Sequence, residues 1–103
     1  MDISVIDEIY KSHNIYKALF ICKHDKFHDY LQALKINDYP ISLITDTVSL
    51  NNNSSRILFI SNLDIEYLEL MIHKINFDDF TIQVNIDCDE RIEILGDIQT
   101  IFI

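Results

Sequence analysis

The sequence predicts an α/β fold. The expected form is a three-layer Rossmann-like arrangement, a mostly parallel sheet of about five strands with helices on its faces. Two observations carry this. Short apolar runs alternate along the chain with stretches whose apolar residues recur at the helical period. The 103 residues, 49% of them apolar, suffice for one core of modest size. No repeat, linker or low-complexity stretch interrupts the pattern, so residues 1–103 read as a single domain.

Asp2 or Ser4 can cap a first helix of about ten residues, on which Ile6, Ile9, Tyr10 and His13 share a face. His13-Asn14 breaks it. Residues 15–22 form a short apolar run bounded by polar residues, which reads as a buried strand. The spacing of Phe27, Tyr30, Leu31 and Leu34 predicts a second helix over 25–36, with Asp25 where the helix dipole favours a carboxylate. Tyr39-Pro40 stops that helix and introduces a second strand, Ile41 to Thr45. Residues 46–55 are polar and asparagine-rich, a loop, and residues 56–61 are a third buried strand. Ser61 or Asn62 caps a third helix, whose period runs through Leu63, Tyr67, Leu70, Met71 and Lys74-Ile75. Asp78-Asp79 make a turn. Residues 80–86 alternate apolar with polar side chains, the period of a half-buried strand near a sheet edge. Asp87 to Leu95 fits a short helix or a turn, and residues 98–103 a last strand.

Glycine occurs once, at Gly96, and proline once, at Pro40. Phosphate cradles built on several glycines are thereby excluded. The net charge of −9 is unevenly placed, since residues 62–103 hold ten acids against Lys74 and Arg91. Such a field repels phosphate and anionic lipid, which disfavours direct nucleic-acid binding and favours a basic protein partner. Its densest part is Asp87-Cys88-Asp89-Glu90, and Glu93 and Asp97 extend it. No apolar run approaches the ~18 residues that span a bilayer, so no membrane contact is expected. Asp2, Asp7 and Glu8 interrupt anything like a signal peptide, and Cys22 and Cys88 read as reduced thiols. The expected location is the cytoplasm. The twenty isoleucines, with many asparagines, have codons rich in A and T. That suggests the genome of a large DNA virus, a phage or a parasite; for a viral protein the location becomes host cytoplasm or nucleus.

The first half resembles the second RecA-like domain of superfamily-two helicases. The likeness lies in Lys17-Ala18-Leu19-Phe20-Ile21-Cys22, the helix containing Asp29-Tyr30-Leu31, the strand Ile41-Ser42-Leu43-Ile44-Thr45, and Arg56-Ile57-Leu58-Phe59-Ile60-Ser61. It covers about half of the chain. The family's nucleotide-contacting arginine pair with glycines has no counterpart, since Arg56 and Arg91 are the only arginines. The helix expected between the second and third strands gives way to the Asn51–Ser55 loop. The resemblance therefore implies a degenerate RecA-like domain that cannot hydrolyse ATP. On topology alone, flavodoxin-like and receiver-like domains stand beside it.

His24 and His28 stand four apart, a spacing that puts two imidazoles on one helix face as zinc sites do. No partner pair completes the set, so surface histidines are the simpler reading and no metal is expected. Cys22 ends a strand at the edge where ligand sites form. A phosphate-binding cysteine loop needs an arginine six positions on, and that residue is His28. A receiver needs paired acids after its first strand, where Lys23-His24-Asp25 stand instead. No serine has a glycine elbow. The expectation is thus a non-catalytic interaction or regulatory module, a viral or phage accessory, without cofactor. It would bind a basic protein through Asp87, Asp89, Glu90, Glu93 and Asp97. The alternative is a small enzyme using Cys22 or His24 and His28. The apolar last strand carries no lysine or proline to blunt an edge, so a two-fold homodimer is one way to cover it.

Overall fold

The computed structural model describes residues 3–12, 17–45, 56–71, 80–89 and 96–103. Helix α1 spans Ser4–Ser12, strand β1 Ala18–Cys22, helix α2 His24–Ile36 and strand β2 Ile41–Leu43. Strand β3 covers Ile57–Ser61, and a 3-10 turn at Asn62–Asp64 leads into helix α3, Ile65–Leu70. Strands β4, Ile82–Ile86, and β5, Gln99–Phe102, follow. All five strands are parallel, in the order β2-β3-β1-β4-β5. This is the three-layer Rossmann-like α/β fold that the sequence predicts. Its order sets β3 between β2 and β1, whereas flavodoxin-type sheets run 2-1-3-4-5.

Strand β1 lies at the centre, with Phe20 opposite Phe59 of β3 and Val84 of β4. All five of its residues are buried, as they must be in a parallel strand covered on both faces. Alternate side chains point to opposite layers. On one face Ala18, Phe20, Ile57, Phe59 and Val84 pack under Ile6 and Ile9 of α1 and Leu31 and Leu34 of α2. The Phe27 ring of α2 stacks on Phe59, centroids 4.9 Å apart and planes 11° from parallel. On the other face Leu19, Ile21, Leu58 and Ile60 pack with Leu68 of α3 and Phe80.

Helix α2 ends in a tight reversal. The Tyr39 N–H donates to the Leu34 carbonyl and the Asp38 N–H to the Lys35 carbonyl, both at 3.1 Å. Asp38 takes the left-handed conformation that this motif demands, φ 59°, where glycine is usual and aspartate is tolerated.

Two sequence expectations are corrected here. The first concerns α3. Its expected period ran through Leu63, Tyr67, Leu70 and Met71; of these only Met71 packs against the core, the other three are exposed, and the buried anchor is Leu68. The segment carries two apolar stripes, and the one through Ile65, Leu68 and Met71 meets the sheet. The second concerns β4, expected to be half-buried; its expected place nearer an edge agrees with its position beside the edge strand β5. It lies between β1 and β5 with all five residues buried. Its polar face is inside because Gln83 Nε2 donates to Asn85 Oδ1 at 2.9 Å. Among the described residues no buried side-chain nitrogen or oxygen lacks a partner. Burying amides costs little once they are bonded. The expected Asp2 cap, the loop at 46–55, the turn at Asp78-Asp79, His13, His73 and Lys74-Ile75 lie outside the described residues.

The Phe59→Ala variant should lose about 3–5 kcal/mol, since it empties a fully buried site and removes the Phe27 stack. Urea denaturation measures this, and a loss below about 1 kcal/mol would contradict a core role for β3.

Candidate functional site

In a parallel sheet the ligand crevice forms beyond the carboxyl ends of adjacent strands whose connections leave on opposite faces. Strand β1 continues into α2 on one face, and its neighbour β3 continues into α3 on the other. The crevice of this fold therefore belongs at Cys22-Lys23-His24 and Ser61-Asn62, flanked by Asp87-Cys88 after β4.

Polar groups around that crevice bond to one another. Helix α2 opens with no side-chain cap from Lys23. Instead the His24 N–H donates to Asn62 Oδ1 at 2.8 Å, so a residue 38 positions away caps the helix. His24 Nδ1 lies 3.1 Å from Ser61 Oγ, which also accepts the Leu63 N–H at 3.2 Å. The Lys23 N–H donates to the Ile86 carbonyl at 3.1 Å and carries the β1–β4 pairing past the strand end. Lys26 Nζ donates to Asp87 Oδ2 at 3.1 Å. The bond to Asp87, and then its charge, raise the Lys26 pKa. Asp87 holds a left-handed φ of 55°, and its N–H donates to the Ile103 carbonyl at 2.9 Å. The dipole end that such folds turn towards a phosphate thus faces a side-chain amide.

Cys22 is fully buried. Burial first, then the charges of Asp87, Cys88 and Asp25, pushes its thiol up to about 12, against a smaller opposing effect of Lys26. At neutral pH it is protonated, and a protonated buried thiol is no nucleophile. The Cys88 Sγ lies 3.7 Å from the Ile21 carbonyl, and neither cysteine is in a disulfide. His28 is exposed on α2, its ring edge-on to Phe27. Among the described residues no three of His, Cys, Asp and Glu gather closely enough to hold a metal ion. No helix among them is long and apolar enough to cross a membrane.

The predicted acidic site does not stay in one piece. Asp87 and Asp89 follow β4 at the carboxyl edge of the sheet, whereas Asp97 precedes the parallel strand β5 at the amino edge. Asp87 is paired with Lys26, Asp89 and Asp97 are exposed, and Glu90 and Glu93 lie outside the described residues. Sequence reasoning placed Ser61 and Asn62 at the start of a helix and missed that Asn62 caps a different one. An asparagine directly after a central strand was the available signal.

A second hollow of about 660 Å³ lies at the amino edge, between α1 and the turn before β2. Its polar groups are engaged with one another. Asp7 accepts the Tyr39 hydroxyl and pairs with Lys11 at 2.9 Å, and the Tyr39 ring meets Tyr10 edge-on. The Tyr39 bond, and then Lys11, hold the Asp7 carboxyl below its ordinary pKa. Comparison with protein-family models, with curated proteins and with solved structures finds no match to this chain.

Replacing Asn62 with alanine should lower stability by about 1 kcal/mol, the usual worth of a helix cap. Thermal denaturation checks it. An unchanged stability would mean that the Asn62 bond does not hold the N-terminus of α2.

Proposed function

We propose that this protein is a non-catalytic interaction module whose partner is a basic protein. One observation carries the reading above the others: at the crevice where this fold normally works, Asn62, Ser61, His24, Lys26 and Asp87 are already engaged with one another. A site that reacts with a small molecule needs groups left over after the fold has used its own. Here the first N–H of the helix is bonded to Asn62, the cysteine is protonated and Lys26 is paired. What remains for recognition is surface, and that surface carries a net charge of −9. A strongly acidic surface attracts basic partners from a distance and repels phosphate. The resemblance of the first half to a degenerate RecA-like domain fits this reading, with the fold kept and the nucleotide chemistry gone. An accessory role in a viral or phage nucleic-acid machine, through its proteins rather than its nucleic acid, agrees with this charge.

Calorimetry on the full chain tests the reading with two titrants. ATP with magnesium should give no binding heat up to millimolar concentration. A lysine- and arginine-rich polypeptide should bind saturably, and more weakly as salt rises. Micromolar ATP affinity, or no binding to the basic polypeptide, would overturn the proposal.

A further inference from the structure

We infer that the outer face of Asn62–Leu70 is the docking surface, and that it takes a basic amphipathic helix of the partner. This rests on the interaction-module reading and gives it a location. The face is apolar where the fold does not need it to be. Leu63, Tyr67 and Leu70 stand at i, i+4 and i+7, and they are 66%, 42% and 76% exposed. The helix is already anchored by Leu68, fully buried on the opposite side, with Ile65 and Met71 beside it. The outward ridge is thus surplus to the core. Single exposed apolar side chains are ordinary, but here Tyr67 and Leu70 stand three apart on α3 and Leu63 lies in the 3-10 turn that leads into it, so three exposed apolar groups fall within eight residues.

Charge decides what covers it. Asp64, Glu66 and Glu69 flank the ridge, and from Ile57 to Met71 the chain holds no lysine, arginine or histidine. A second copy of this chain would set the same three carboxylates against themselves, between two molecules each carrying −9. Like charges brought together across an interface are unfavourable. An anionic lipid surface meets the same repulsion. A helix with apolar residues at i, i+4 and i+7 and lysine or arginine on either side satisfies both features. Its apolar stripe packs along the ridge, and its basic flanks meet the acidic rim. The ridge occupies only the nine residues 62–70, so the contact falls among small, reversible interfaces.

The test uses the full chain and two labelled peptides of about 18 residues, long enough to form helix on binding. One carries leucines at i, i+4, i+7 and i+11 flanked by lysine and arginine. The other has the same composition permuted so that no apolar face forms. Fluorescence anisotropy should show the amphipathic peptide binding about tenfold tighter than the permuted one. Leu63→Ser and Leu70→Ser remove exposed groups, so circular dichroism should be unchanged while binding weakens about tenfold. Glu66→Gln with Glu69→Gln should weaken it severalfold and flatten its salt dependence. Ile36→Ser, equally exposed but on α2, should change nothing. Equal affinity for both peptides, or wild-type binding by the two leucine variants, would overturn the location while leaving the interaction-module reading intact. A dimer in sedimentation that Leu70→Ser dissolves would overturn it in favour of a second copy. No binding of either peptide would overturn both readings.

Discussion

The parallel pairing of β1 with β3 on one side and β4 on the other is the constraint on which everything else depends. A parallel strand needs a crossover to reach its neighbour, and here the crossovers from β1 and β3 depart on opposite faces. That arrangement buries β1 completely and obliges both faces to be apolar. It also opens a crevice at the carboxyl edge, because the chain leaves adjacent strands in opposite directions. An unfilled crevice would leave the first N–H groups of α2 without partners. Asn62, displaced only one residue beyond β3, reaches across and caps His24. This bond across the crevice is thus a consequence of the same topology that creates the crevice.

These bonds have a chemical meaning because they engage polar groups of the crevice within the fold. Ser61 accepts the Leu63 N–H while it contacts His24, and Lys26 is held by Asp87. Cys22 lies beneath them, its thiol kept protonated by burial and by neighbouring carboxylates. The ion pair itself is partly exposed and adds little to stability. Its effect is positional, since it keeps an ammonium group away from any anion that approached the strand ends.

Much of the fold was legible in the sequence because the buried strands are continuous apolar runs. Leu19-Phe20-Ile21 and Leu58-Phe59-Ile60 admit few other readings in an alternating chain. The stripe of α2 was legible too, since Leu31 and Leu34 have polar residues on the opposite face. Strand β4 was misread for a physical reason. Alternation of polar and apolar residues signals solvent on one side only when the polar groups have no partners inside, and Gln83 bonds Asn85. Helix α3 was misread because both of its stripes are apolar, and periodicity alone cannot choose between them. The crevice was only half legible. Cys22 was found from its place at a strand end and His24 from its spacing to His28, but the Asn62 cap depends on which strands are neighbours, and that order is not written in any local pattern. The acidic residues formed a cluster in sequence and separate in space because β4 and β5 are parallel, which puts Asp87 and Asp97 at opposite edges.

The claim that Asn62 caps α2 across the crevice is tested most directly by amide hydrogen exchange at His24. The first N–H groups of a helix ordinarily exchange with water almost freely. With Asn62 Oδ1 as acceptor, the His24 amide should exchange much more slowly than that of Asp25 beside it, and the Asn62→Ala variant should erase the difference. Fast exchange at His24 in the unaltered protein would contradict the account, because the helix end would then be open to solvent and to ligands.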